Sequence, residues 1–383
     1  MRIGLLTLDW PPCGGGMSRF CHETFAELAR RGHAITVLSG HRAEETVAGV
    51  RVEPVLNGDL STDRSALRRF DADVDLWHAW EFGYGGLAHL TERPVVVTVH
   101  GNDLMRPKAY YRFTRTPFLH RLASRLSTPG WQTRLCNSGL KRVACFAPNS
   151  ANTAALLRRT FPACRRIDVL PCGVGEPFFQ PHDRRAGPPR LLTVCSLSSL
   201  RRRKNVAGVL EALATLRGEF DFRYDICGDG DMIDELRDLS ARLGVSDRVR
   251  LRGAVSDERL AASYRGADLF VLAPHENPDD VEGFGIVYLE ANAAGTPCLA
   301  VRTGGIEDAV CEGVSGYFAA SPEPADLAEA LRRFFRGELR FDPDTVRGWA
   351  DRHRYARIVD RLEAIYGGLR PYKPVPASAI EQE

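Results

Sequence analysis

The sequence predicts an α/β protein made of two doubly wound units, and three observations carry that prediction. Short β-branched runs alternate with helical stretches from the first residue, the pattern of parallel sheets wrapped by helices. The 383 residues suggest two or three domains at about 150 residues each. The alternation stops once, in Pro171-Cys172-Gly173-Val174-Gly175-Glu176-Pro177 and on to Gly187-Pro188-Pro189, and then restarts.

Ahead of that break, 3–8 reads as a buried strand, followed by the glycine loop Gly14-Gly15-Gly16. Met17, Phe20, Cys21, Thr24 and Leu28 then recur at helical spacing and end at Gly32, a C′ glycine. Further strands are expected over 34–39, 50–55, 76–78, 95–99, 143–147 and 167–170, with a helix over 150–160. Beyond the break the strands are 191–195, 224–227, 249–252, 269–273 and 298–301, and the helices 206–216, 231–243, 257–267 and 286–294. The expected domains are 1–180 and 181–350, with 351–383 a C-terminal helix and tail. Doubly wound sheets bind ligands at the carboxyl ends of their strands, so the two halves should face each other across a cleft.

Composition narrows the function. Lys and Arg number 51 against 49 Asp and Glu, a formal net charge of +2, so no global field favours nucleic acid or an anionic membrane. With 44% apolar and 26% charged residues the chain is an ordinary folded protein. Its ten cysteines contain no Cys-x-x-Cys pair and no zinc spacing, so reduced thiols are expected. The apolar start meets Asp9 too soon for a secretory signal, and Val95-Val96-Val97-Thr98-Val99 is too short to span a bilayer. These features point to a soluble, cytoplasmic protein.

Several positions carry candidate chemistry. The Gly14 to Gly16 loop opens a helix and suits either a phosphate or a tight turn. Arg201-Arg202-Arg203-Lys204 follows a strand and suits a diphosphate or a solvated loop. Gly228-Asp229-Gly230 either admits a flat ring or turns the chain. In Val281-Glu282-Gly283-Phe284-Gly285-Ile286-Val287-Tyr288-Leu289-Glu290, two carboxylates lie eight residues apart, at most about 12 Å along a helix. They suit one elongated ligand, with glycine amides for oxyanions and a carboxylate for ribose hydroxyls; the alternative is a helix-dipole charge and a solvated glutamate. His100-Gly101-Asn102-Asp103 ends a strand, placing His100 and Asp103 at a crevice rim unless the histidine is structural, and His78 is a weaker version of the same case. Neither a Gly-x-Ser-x-Gly elbow nor His-Glu-x-x-His occurs.

Taken together and in order, these motifs, with Leu170-Pro171-Cys172-Gly173-Val174, Arg203-Lys204-Asn205 and Gly304-Gly305-Ile306-Glu307, resemble the large family 4 of retaining glycosyltransferases with the GT-B fold. The match covers nearly the whole chain. The resemblance implies a C-terminal domain that holds a nucleoside-diphosphate sugar and an N-terminal domain that holds most of the acceptor, with the C-terminal helices packing back on the N-terminal domain. It implies that Lys204 with Arg203 holds the diphosphate, approached by the Gly16 amide, that Gly228 lies at the donor and that Glu290 binds ribose. Glu282 and the amides of Phe284 and Gly285 would grip donor-sugar hydroxyls, with His100 beside the transferred ring. Glu282, Lys204 and His100 are thus the catalytic candidates, and His78 and Asp103 the acceptor candidates. The resemblance further implies no metal or other cofactor.

Two departures stand out. The Arg of the usual Gly-Arg-Leu before the lysine is absent from Cys195-Ser196-Leu197-Ser198-Ser199-Leu200, leaving Arg201 to Arg203 as substitutes. The loop Pro274-His275-Glu276-Asn277-Pro278-Asp279-Asp280-Val281 is long, similar to a subset with mannosyltransferases that use GDP-mannose. On the acceptor side, Arg106, Lys108, Arg112, Arg115, Arg121 and Arg125 interleave with aromatics, which suits a helical pair with a charged face better than a membrane contact. The rival readings are a sugar-nucleotide epimerase on the same fold and a non-catalytic nucleotide-sugar-binding protein. Nucleic-acid binding through Arg201 to Lys204 is opposed by the overall charge.

Overall fold

A computed structural model describes residues 1–11, 15–41, 47–58, 60–105, 139–181, 183, 186–277 and 280–369. The basic and aromatic segment from Arg106 to Arg125, Gly14, the tail from Pro371, and Pro278 and Asp279 lie outside the described residues. The chain forms two compact units, one of Met1–Pro171 with Ile358–Glu383 and the other of Cys172–Arg357.

The first unit holds a six-stranded sheet of β1 (Arg2–Thr7), β2 (Ala34–Ser39), β3 (Val50–Glu53), β4 (Leu76–Ala79), β5 (Val95–Val99) and β6 (Cys145–Pro148) in the order β3-β2-β1-β4-β5-β6. Every pairing is parallel. Strands buried on both faces explain the unbroken apolar runs of β1 and β5. The order reverses between β1 and β4, the switch point at whose carboxyl ends doubly wound sheets bind ligands. The helices are α1 (Gly16–Arg30), α2 (Leu60–Phe70), α3 (Asn102–Met105) and α4 (Ala151–Thr160). Ser150 caps α4, its Oγ accepting from the Thr153 amide at 3.0 Å.

The second unit repeats the winding with β7 (Arg190–Val194), β8 (Arg223–Cys227), β9 (Val249–Gly253), β10 (Leu269–Val271), β11 (Cys298–Ala300) and β12 (Gly316–Phe318), ordered β12-β11-β10-β7-β8-β9. Its helices are α5 (Val206–Leu216), α6 (Ile233–Arg242), α7 (Asp257–Arg265), α8 (Ile286–Ala293), α9 (Ile306–Ala309), α10 (Pro324–Phe335) and α11 (Pro343–Asp351). The segment after Pro171 belongs here: the Val174 amide donates to the His353 carbonyl at 2.9 Å. The last helix, α12 (Tyr355–Gly367), begins in this unit and continues in the first.

The expected α/β architecture is therefore present, with one correction. The segment expected as a strand over 167–170 does run parallel to the outer edge of β6, its Asp168 and Leu170 amides donating to the carbonyls of Phe146 (3.0 Å) and Pro148 (2.9 Å), but it forms only a single bridge, Ile167 with Phe146, rather than a regular strand. The α2 helix and the 3-10 segment Phe82–Leu90 were not foreseen. Among the described residues no helix is long and apolar enough to cross a membrane, and their eight cysteines are free thiols.

The last helix is tied to the first unit by polar contacts. Arg31 bonds Asp360 at 2.7 Å and Glu363 at 2.8 Å, and His33 meets Glu363 at 2.8 Å. His78, wholly buried on β4, contacts the Tyr366 hydroxyl through Nδ1 and the Thr98 hydroxyl through Nε2, both at 2.6 Å. Burial lowers its pKa to about 3, so the ring is neutral. Both ring nitrogens are satisfied inside the core, which removes His78 from the acceptor candidates. Tyr366→Phe keeps the ring volume but leaves His78 Nδ1 buried without a partner. Urea titration should show a loss of about 1–3 kcal/mol for that variant.

Candidate functional site

In the second unit the basic run is a 3-10 turn, Ser199–Lys204, leaving the end of β7. Asn205 stops it in the left-handed region at φ 60°, and its Nδ2 donates to the carbonyls of Ala273 (3.1 Å) and Pro322 (2.7 Å). That anchor fixes the two residues before it. Lys204 Nζ donates to Glu282 Oε2 at 2.6 Å and Arg203 Nη1 donates to the same oxygen at 3.0 Å. Arg203 Nε also lies 2.8 Å from Asp280 Oδ2, while Arg201 Nη1 bonds Asp280 Oδ1. Arg202 instead makes an exposed pair with Glu235. Of the three arginines, Arg203 is therefore the one that shares a carboxylate with Lys204.

Electrostatics follow from this geometry. Burial opposes ionisation of Glu282, but the Lys204 and Arg203 charges outweigh it and lower its pKa. Burial likewise opposes ionisation of Asp280, yet bonds from Arg203 and Arg201 bring it down to about 2. Two cations held by paired carboxylates are ready to exchange partners with an incoming oxyanion.

Glycines shape the surrounding backbone. A Cβ on Gly304 would stand 2.2 Å from the Glu282 carbonyl oxygen, which accepts the Gly305 amide at 2.7 Å. A Cβ on Gly228 would stand 1.8 Å from the Cys195 carbonyl oxygen, so the loop after β8 runs against the segment that leads to the cations. Gly285 caps α8, and Phe284 beside it is buried. Glu290 lies on α8, 4% exposed, and its Oε2 accepts the Tyr264 hydroxyl at 2.9 Å.

In the first unit, Gly16 opens α1. His100 follows β5, 5% exposed, with Nε2 donating to the Trp80 carbonyl at 3.0 Å. Burial lowers its pKa, so it stays neutral. Asp103 commits both oxygens to the backbone, accepting the amides of His100 (2.9 Å) and Phe82 (3.2 Å). It builds the turn that carries His100, a structural part in place of the acceptor contact expected.

The sequence reading missed Glu81 just beyond β4. Its Oε1 accepts the Leu8 amide (2.8 Å) and the Thr7 hydroxyl (2.9 Å), and its buried Oε2 has no hydrogen-bond partner among the described residues. Burial, followed by the charge of Asp9, pushes its pKa from 4.5 to about 8. No spacing rule exposes this, because Thr7, Leu8 and Glu81 meet only when β1 pairs with β4.

Comparison with known proteins decides the family. The sequence profile described as Glycosyltransferase Family 4 matches residues 14–175, and that described as Glycosyl transferases group 1 matches residues 181–347. The chain belongs to the family 4 glycosyltransferases of the GT-B fold. This glycosyltransferase is 28% identical to the GDP-mannose-dependent alpha-(1-6)-phosphatidylinositol monomannoside mannosyltransferase of Mycolicibacterium smegmatis, over 91% of this chain and 92% of that protein. Its fold is that of sucrose-phosphate synthase from Thermosynechococcus elongatus, with a TM-score of 0.76 at 19% identity over 96% and 98% of the two chains. Anabaena HepE in complex with UDP-glucose shares the fold at a TM-score of 0.69 and 18% identity, over 96% and 100%.

Glu81 gives this glycosyltransferase a pH signature. The fold keeps a proton that the unfolded chain releases near 4.5, so this group erodes stability as pH rises from about 4.5 to about 8. Glu81→Gln removes that linkage. Its melting temperature should gain on the wild type across that window and hold a constant difference above it, read by calorimetry at a series of pH values.

Proposed function

We propose that this glycosyltransferase moves a hexose from a nucleoside-diphosphate sugar to a hydroxyl of a small-molecule, glycan or lipid-linked acceptor, with retention at the anomeric carbon and without a metal. The observation that supports this most is the meeting of Lys204 and Arg203 on one buried oxygen of Glu282. Both cations are held close together by a carboxylate, and a diphosphate offers them a stronger partner.

In the proposed reaction the anomeric C–O bond to the diphosphate breaks, its electron pair passing to the phosphate oxygen. The acceptor oxygen bonds to the anomeric carbon on the same face, and its proton moves to the departing phosphate. No side chain acts as base. Lys204 and Arg203 stabilise the charge that grows on the leaving group, the largest demand on such a site. Glu282 and the amides of Phe284 and Gly285 hold the sugar hydroxyls, Glu290 holds the ribose, and Gly228 lies by the nucleotide. GDP-mannose is the first donor to test, favoured by the long loop before Glu282 and by the mannosyltransferase relative.

Thermal-shift measurements with UDP-, GDP-, ADP- and TDP-sugars test the donor, because a ligand of the native state raises its melting temperature. No shift from any of them would sink the donor class. Slow hydrolysis of that donor without acceptor separates an enzyme from a mere binder. With the donor in hand, Lys204→Ala should lower kcat by about 10²- to 10³-fold while the melting temperature stays near that of the wild type. Dialysis against EDTA should leave wild-type turnover unchanged.

A further inference from the structure

Glu290 is oriented by a residue from another helix. Tyr264 lies on α7, wholly buried, and its hydroxyl donates to Glu290 Oε2 at 2.9 Å. The ring is held by Phe178, which meets it edge-on at 5.9 Å between centroids, and by Phe270, tilted at the same distance, while Thr296 Oγ1 anchors the Tyr264 main-chain carbonyl at 2.6 Å. Burial, then the charge of Glu290, raises the Tyr264 pKa far above its ordinary value, so the phenol is always a donor. A carboxylate with one oxygen pinned by a rigid donor has a fixed plane, and accepting two adjacent hydroxyls depends on that plane.

We propose that Tyr264 is a positioning residue for Glu290, whose phenol holds the carboxylate in the orientation that reads both ribose hydroxyls of the donor and so sets the preference for ribonucleotides over 2′-deoxyribonucleotides. This rests on the reading that Glu290 meets the ribose. Without the phenol, the carboxylate loses a charge-assisted bond from a rigidly held donor. The nucleobase, the diphosphate and the sugar have other partners, so the loss falls on the ribose alone.

The experiment is calorimetric titration of UDP, GDP and ADP against their 2′-deoxy counterparts, using the pair that the wild-type protein binds tightest. The wild type is expected to favour the ribonucleotide. Tyr264→Phe, which keeps the ring, should weaken ribonucleotide binding about tenfold, equivalent to about 1.4 kcal/mol, while 2′-deoxynucleotide binding changes less than twofold. Phe178→Leu loosens the packing around Tyr264 but spares its hydroxyl, and should keep the wild-type ratio. A Tyr264→Phe protein with the wild-type ratio overturns the proposal, as does an equal loss of ratio in Phe178→Leu, which would reduce the effect to general loosening. If Tyr264→Phe does not fold, Tyr264→Met, which fills the core without a hydroxyl, takes its place: a lost ratio supports the proposal and the wild-type ratio overturns it. A wild type without preference, or Glu290→Gln with an unchanged ratio, defeats the ribose role of Glu290 itself and the proposal with it.

Discussion

A carboxylate oxygen that accepts from a lysine and an arginine at once organises the working end of the second unit. Burying Glu282 is unfavourable for its charge, and burying Arg203 is equally unfavourable for its own, so each is tolerable only in the presence of the other. The pairing draws together a turn at the end of β7 and the segment before α8, which lie far apart in sequence. Asn205 secures one side through two backbone carbonyls, and Gly304 and Gly305 secure the other by letting their backbone close on the Glu282 carbonyl. The fold thereby keeps two cations near each other without allowing either to drift into solvent.

The first unit meets the opposite problem. Its interior gathers groups that burial drives toward neutrality: His78 and His100 lose their charge, and Glu81 keeps its proton. One unit concentrates paired charge, while the other offers neutral donors and acceptors between aromatic rings, among them Phe20, Phe25 and Trp80. That division accords with the phosphate-bearing donor and hydroxyl acceptor proposed above.

Much of this was legible in the sequence because it depends on short-range periodicity. Alternating apolar runs locate the strands, and α5 occupies the very residues, 206–216, that its pattern marks. The basic run and the two spaced glutamates stand out as local composition. Whatever depends on a distant partner was hidden. His78 looks like a crevice histidine until Tyr366, 288 residues away, takes its Nδ1. Asp103 looks like an acid at a rim until it caps the turn around His100. Arg201, Arg202 and Arg203 are indistinguishable in sequence, and only the 3-10 turn sends them to Asp280, Glu235 and Glu282 respectively. Tyr264 reads as one more core aromatic on an amphipathic helix, since nothing nearby in the chain announces Glu290.

The route of α12 also bears on biogenesis. Residues from Ile358 onward complete the unit that the ribosome makes first. The amino-terminal unit therefore emerges with the niche for Tyr366 still vacant, and it cannot seal its interior until the second unit has been translated. The half synthesised earliest is finished last, and a nascent-chain holdase would find its longest-lived client surface there.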